Sequence, residues 1–179
     1  VLPPIGLACL AGVLKKENIE TRILDLNALN LTQEQTIDYI KNYNPNLIGI
    51  GAVTTTIFKS FNLAEIIKQN FPEKQIVFGG PHPTFFPEII NHPACDVACR
   101  GESEFAMVDL AEAYERGEDY TNILNLSVKV KGGIKQNEVR PLVESLDKLP
   151  FSDRDIYYNK YAIIKNSPLK PFIASRGCP

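Results

Sequence analysis

The sequence predicts an α/β fold, a doubly wound parallel sheet with helices on both faces. Three observations predict it. The run NLIGIGAVTTT is apolar without alternation over residues 47–53, the pattern of a strand covered on both faces. A helical stretch follows, with Ile57, Phe61, Ala64, Ile67 and Phe71 spaced by three and four, which makes one stripe facing a sheet. A second strand over 75–78 then breaks at Gly79 and Gly80. Strand, helix, strand is the repeating unit of a parallel sheet.

The other elements follow in order. Pro3 and Pro4 precede a helix over 5–16 whose stripe is Leu7, Leu10, Ala11 and Leu14, and Asn18 fits its end. Residues 21–26 read as a strand, with Asp25 near its C-terminal end. Thr32 caps a helix, with Gln35 three residues on as its reciprocal partner. That helix buries Ile37 and Ile40 and ends before Pro45. Pro72 stops the central helix. Pro81 and Pro83 stiffen the exit from the glycine pair, and 85–91 is a short turn or helix. A strand over 96–99 leads into the loop Arg100, Gly101, Glu102. Ser103 is placed to cap a helix to Arg116, and Gly117 suits the position just past its end. The pattern then changes. Residues 126–131 alternate, Gly132 and Gly133 read as a two-residue hairpin turn, and 134–136 return. The stretch 139–171 reads as a linker that wraps rather than a core element, and 172–175 as one last short strand. A sheet of the flavodoxin-like (Rossmann-like) kind needs a first strand before Pro3, so that strand is expected upstream. The chain does not begin with methionine and stops at Cys178 and Pro179, so it reads as a piece of a longer protein.

Composition narrows the function classes. The 179 residues are 44% hydrophobic and 22% charged, with a formal charge of −2. That balance gives no case for nucleic acid or an anionic membrane. Cys9, Cys95, Cys99 and Cys178 are too scattered for a disulfide framework, which favours a reducing, cytoplasmic setting. Cys95 and Cys99 lack the further ligands that a metal site needs and read as core residues, as does Cys9. No run is long enough to span a bilayer.

The candidate site lies where the two central strands end. Thr54, Thr55 and Thr56 put small hydroxyls at one strand end, and Gly79 and Gly80 leave bare backbone at the next. In open α/β sheets, ligands sit on that edge. His82 reads as a loop histidine at the same edge. Plainer readings stand beside these. The glycines make an ordinary strand-end turn, one of the threonines caps the helix, and Glu102 and Glu104 suit a helix N-terminus. His92 reads as a surface turn residue, and Asp153, Arg154 and Asp155 as a solvated charge run.

Taken together, LPPIGLACLAGVLKKENIETRILDL, NLIGIGAVTTT, IVFGGPHPTFFPE, DVACRGESE and LDKLPFSDRDIY resemble the N-terminal cobalamin-binding domain of radical SAM enzymes, and SRGCP resembles the start of the radical SAM domain. The resemblance covers nearly the whole chain. It implies cobalamin on the C-terminal edge of the sheet, with its nucleotide tail between the sheet and a helix. Ala52, Val53, Thr54, Thr55 and Thr56 would form the loop under the corrin. Gly79 and Gly80 would face the tail, and Pro81 and His82 would lie near the cofactor. Gly101 and Glu102 would sit on the next loop. Cys178 would be the first of three thiolates holding a [4Fe–4S] cluster. The implied division is a cobalamin-binding domain over 1–120, a hairpin and interdomain linker over 121–171, and the start of a radical SAM domain over 172–179. The Asp-x-His-x-x-Gly of domains that supply a histidine to cobalt is replaced here by LPPIGL, and Gly51 stands where those domains carry serine. No protein histidine below the cobalt is therefore expected.

The function so implied is a cobalamin-binding module facing the radical SAM domain of the same chain. The intact enzyme would use S-adenosylmethionine as radical source and methylcobalamin as methyl donor, on a small-molecule or peptide substrate that the sequence does not name. Ring closure occurs on the same architecture, and the piece alone is not expected to be catalytic. An interaction domain that kept the fold and lost cobalamin is the alternative. A flavin or phosphoacceptor domain is a third reading, set back by the absence of an acidic cluster around Asp25.

Overall fold

The computed structural model describes residues 3–176. They fall into two compact units. One comprises Val1–Thr36 with Val143–Pro179, and the other comprises Ile37–Leu142.

In the first unit, α1 spans Ile5–Lys16 as expected. Asn18 closes it in the left-handed conformation (φ 60°), and the Ile19 N–H returns to the Leu14 carbonyl at 2.9 Å. The strand expected over 21–26 is not there. The chain is irregular up to Asp25 and then enters a single helical turn, α2 (Leu26–Leu29). Asp25 caps that turn by accepting from the Asn27 and Ala28 N–H groups. A strand needs a neighbour's N–H and C=O. Here a side chain stands in for one. The Tyr161 hydroxyl donates to the Ile23 carbonyl (2.6 Å) and accepts from the Asp25 N–H (3.2 Å).

The stretch expected to wrap without entering a core also differs. Two short helices, α7 (Asp155–Tyr158) and α8 (Ala162–Lys165), follow the hairpin region late in the chain. Tyr157, Tyr161 and Ile164 are buried with Ala8, Ala11 and Ile23 in one apolar cluster. The Asp153 N–H donates to the Ala8 carbonyl (2.9 Å), and its carboxylate takes Lys15 Nζ at 3.1 Å. Asp153 is thus a packed anchor and not part of a solvated run. A Cβ at Gly12 would collide with the Phe151 carbonyl, which explains a glycine inside α1. Residues 172–175 have irregular backbone rather than the expected strand.

Helix α3 (Gln33–Tyr43) opens with the predicted reciprocal cap. The Gln35 N–H donates to Thr32 Oγ1 (3.2 Å), and the Thr32 N–H donates to Gln35 Oε1 (2.9 Å).

The second unit holds a five-stranded sheet in the order β1-β2-β3-β4-β5. These strands are β1 (Leu47–Gly51), β2 (Gln75–Gly79), β3 (Val97–Cys99), β4 (Leu126–Val130) and β5 (Gly133–Gln136). The first three are parallel, and the last two join antiparallel. The α/β fold is as predicted, and the hairpin continues the same sheet. Its turn residues are Lys131 and Gly132, because Gly133 already pairs with Val130.

Helix α4 (Ile57–Asn70) covers one face, where Ile57, Ala64 and Ile67 meet Ile50, Ile76, Phe78 and Ala98. Helix α6 (Glu104–Arg116) covers the other, where Ala106 and Leu110 meet Val77, Val97, Cys99, Leu126 and Val128. Between β2 and β3 lie the short helix α5 (Pro81–Phe85) and a 3-10 turn, Pro87–Asn91. β1 is not covered on both faces as its apolar run suggested. Ile50 is buried, but Gly49 and Gly51 are exposed. His92, expected as a plain surface residue, stacks on Phe61 with ring centroids 4.0 Å apart and places Nε2 3.3 Å from Glu65. Among the described residues, no helix is long and apolar enough to cross a membrane.

Candidate functional site

Three consecutive loops leave the C-terminal ends of β1, β2 and β3, and polar contacts tie them together. The Ala52 N–H donates to the Gly79 carbonyl (2.8 Å), and the Ala52 carbonyl accepts from the His82 N–H (3.1 Å). This close approach fixes residue 80 as glycine. Gly80 has φ 101°, and a Cβ there would lie 3.0 Å from the Ala52 carbonyl oxygen. Above this contact, Thr54 Oγ1 and His82 Nδ1 are 3.1 Å apart, and the imidazole stacks on Phe86 with ring centroids at 4.9 Å.

The second and third loops are joined through Thr84. Its hydroxyl donates to the Gly80 carbonyl and accepts from the Gly101 N–H, both at 2.9 Å. Gly101 is also a required glycine: φ is 69°, and a Cβ would sit 2.9 Å from Val139. Below it, the fully buried Asn125 donates from Nδ2 to the carbonyls of Arg100 (2.7 Å) and Glu102 (3.2 Å). Its Oδ1 accepts from the Arg140 N–H at 3.3 Å. Arg100 donates to the Asn137 carbonyl, and desolvation lowers its proton affinity.

The residues singled out in the sequence lie along this rim. Ala52 is buried, and Val53, Thr54, Thr55 and Thr56 are exposed, the threonines forming a 3-10 turn (Thr54–Thr56) into α4. Gly79, Gly80 and His82 are half-buried, Pro81 is the first residue of α5, and Gly101 and Glu102 are half-buried beyond them. Cys178 lies outside the described residues. The expected threonine cap is absent: Thr56 holds the N-cap position of α4, but its hydroxyl donates to the Val53 carbonyl at 3.4 Å. Ser103 likewise holds the N-cap position of α6 without capping, and its hydroxyl turns to the Gly101 carbonyl. Thr84 and Asn125 went unremarked in the sequence. Thr84 has a local signal, a hydroxyl four residues after a glycine in a turn. Asn125 has none, because its partners come from two other loops.

Beside the rim the sheet is bare. Gly51 pairs with Gly79, and Gly49 pairs with Val77, so these glycines share one face of β1 and β2. A Cβ added at Gly49, Gly51 or Gly79 would meet nothing within 4 Å. These three glycines leave open space next to the joined loops, with Val77 the neighbouring side chain on that face. Side chains at these positions would project into that space. Cys99, at the end of β3, is fully buried, and its thiol is pushed up to about 11 by that burial. Among the described residues, no group of three metal-binding side chains is present.

The chain resembles known proteins throughout its length. It is 34% identical over 180 residues to an uncharacterized methyltransferase, PH0819, of Pyrococcus horikoshii, covering 99% of this chain and 39% of that protein. It is 29% identical over 189 residues to the anaerobic magnesium-protoporphyrin IX monomethyl ester cyclase of Rubrivivax gelatinosus, covering 99% of this chain and 33% of the cyclase. The chain thus spans well under half the length of either relative. Its fold matches the cobalamin-dependent S-adenosylmethionine radical enzyme OxsB, solved with aqua-cobalamin and S-adenosylmethionine bound. The TM-score is 0.75 at 21% identity, over 87% of this chain and 22% of OxsB. The B12 binding domain model matches residues 1–111, which include every rim loop described above. None of these matches supports a cofactor-free interaction domain. By that match and these relatives, the chain belongs to the B12-binding domain family.

Proposed function

We propose that this chain is the cobalamin-holding module of a longer radical SAM enzyme. The observation that carries the proposal is the convergence of three loops on one rim, beside three sheet glycines with open space over them. Ala52, Val53 and the hydroxyls of Thr54, Thr55 and Thr56 would lie under the corrin and meet its amide arms. Gly79 and Gly80, with Gly49 and Gly51, would admit the nucleotide tail. His82 would be held in place by Thr54 and Phe86, with Pro81 starting the turn that carries it. Gly101 and Glu102 would border the far side. The hydrogen bonds that already join the three loops would leave little ordering to do on binding. Bound cobalamin supplies a reactive cobalt–carbon centre, and this chain contributes position and surroundings.

In the whole enzyme, Cys178 would be the first ligand of a [4Fe–4S] cluster that works with S-adenosylmethionine. The supporting observation is the SRGCP ending. On this reading, 1–120 is the cobalamin-binding domain, 121–171 the hairpin and linker, and 172–179 the start of the radical SAM domain. Likeness to a methyltransferase over nearly the whole chain supports methyl transfer, with methylcobalamin as donor, to a small-molecule or peptide substrate. Likeness to a cyclase supports ring closure as the second reading. Free cysteines at Cys9, Cys95 and Cys99 fit a cytoplasmic setting.

The test is spectroscopic. The full-length protein is mixed with hydroxocobalamin, desalted, and its visible spectrum recorded. Corrin absorbance travelling with the protein is expected. A colourless protein would overturn the proposal, and a flavin spectrum before any addition would favour a flavin domain. Replacing Cys178 with serine should remove iron–sulfur absorbance while cobalamin binding persists.

A further inference from the structure

The joined loops carry a feature that the shelf does not use. Each is followed by an exposed phenylalanine. Phe58, the second residue of α4, is 83% exposed, Phe85 at the end of α5 is 76% exposed, and Phe105, the second residue of α6, is 43% exposed. In a soluble unit such side chains are normally turned inward, and their clustering marks a binding surface. The distribution is one-sided. The exposed large apolar residues of the unit Ile37–Leu142 are Val53, Phe58, Phe85, Phe86, Phe105, Leu124, Ile134, Val139 and Leu142. All but Ile134 and Leu142 lie on loops or helix ends at the C-terminal rim. Ile134 stands beside the hairpin turn at the opposite end.

We infer that Phe58, Phe85 and Phe105 form an aromatic belt that grips the periphery of the corrin ring. The inference rests on the cobalamin reading above and deepens it. A corrin is a broad, nearly flat macrocycle with methyl groups and uncharged amide arms on its edge. Such a ligand needs hydrogen-bonding groups beneath it and apolar groups around it. The rim offers both in that order: hydroxyls and bare backbone on the loops, then one phenylalanine per loop outside them. Strands about 4.8 Å apart put roughly 10 Å between the first and third loops, and α4 and α6 lie on opposite faces of the sheet, so Phe58 and Phe105 stand farther apart than that, as the edges of a macrocycle require. A protein partner fits less well. A standard protein interface buries about 800 Å² on each side around a continuous apolar centre, whereas these phenylalanines are separated by threonine, glycine and histidine.

The test compares two ligands. Cobalamin carries the nucleotide tail, and cobinamide is the same corrin without it. The full-length protein, a triple Phe58→Ala, Phe85→Ala, Phe105→Ala variant, and a Gly51→Val variant are each titrated with both, and folding is checked by far-UV circular dichroism. The triple variant should weaken cobalamin and cobinamide by the same factor, about tenfold or more, from lost apolar contact. Gly51→Val should weaken cobalamin and spare cobinamide. Unchanged cobinamide affinity in a folded triple variant, with the native protein binding normally, would overturn the belt and turn these residues toward a protein partner. Loss of cobalamin binding alone would overturn it too, by placing them against the tail. A native protein that binds neither ligand would sink the cobalamin reading itself, a separate result.

Discussion

The two ends of the five-stranded sheet are built on opposite plans. At the N-terminal end, lysines are tied to partners. Lys68 Nζ meets Asp96 at 2.6 Å, and the same carboxylate accepts from the Ile76 N–H at 2.7 Å. Lys74 donates to Asn44 Oδ1 (2.6 Å), and Lys129 donates to the His92 carbonyl (2.9 Å). At the C-terminal end, the loops are joined by hydroxyls, an amide, an imidazole and backbone, two of the close approaches require glycine, and phenylalanines are left outside. The first end is finished by its own side chains. The second is tied together by polar contacts and still leaves large apolar side chains exposed. On the cobalamin reading proposed above, the difference separates groups that hold the fold from groups that serve binding.

Substitutions can break that division. The largest effect is expected from Gly80→Val. It forces a β-branched residue into a left-handed conformation against the Ala52 carbonyl, which should lower stability by about 3 kcal/mol and abolish cobalamin binding. Denaturant unfolding and the desalted spectrum measure the two losses. Asp96→Ala is its counterpart at the other end. It removes the ion pair of Lys68 and leaves the Ile76 N–H without its acceptor, and should cost about 2 kcal/mol in denaturant unfolding while leaving cobalamin affinity unchanged. A loss of cobalamin affinity in Asp96→Ala would end the separation of roles.

The two buried thiols give a pH test that spans both ends. Burial raises Cys95 from an ordinary 9.0 to about 12, and Cys99 from 9.0 to about 11. The folded thiols stay neutral at pH values where those of the unfolded chain ionise. The unfolded state then binds fewer protons, so stability falls as pH rises. Stability should be insensitive to these groups below about pH 9 and then drop by about 1.4 kcal/mol per pH unit for each thiol, up to its folded value. Cys95→Ala should remove one share of that slope, measured by denaturant unfolding from pH 8 to 11. The smallest effect is expected from Thr54→Val, which loses the contact with His82. Stability should change by about 0.5 kcal/mol at most, and cobalamin affinity should fall about threefold, both read by titration.

Much of this architecture is legible in the sequence, because it is periodic or local. The stripe of α4, the reciprocal cap at Thr32 and Gln35, the glycine after α6 and the hairpin each depend on residues within a few positions. What escaped depends on distant partners. Residues 21–26 have strand-like composition, but a strand exists only beside another, and here Tyr161, 138 positions beyond Ile23, takes the neighbour's place. Tyr157 and Ile164 sit in a stretch rich in charge and proline, and only the packing around α1 shows them as core. At the rim, the threonine run and glycine pair were visible as composition. Asn125 was not, since its value lies in carbonyls 25 and 23 positions away. The exposure of Phe58, Phe85 and Phe105 was not legible, because sequence alone does not say whether an apolar side chain is covered.

Hydrogen exchange on the full-length protein, with and without cobalamin, tests the central assignment most directly. Bound cobalamin should slow amide exchange in residues 52–56, 79–82 and 101–102 together, and leave 92–96 at the other end of the sheet unchanged. Protection that appears around 92–96, or in only one of the three loops, would contradict the account.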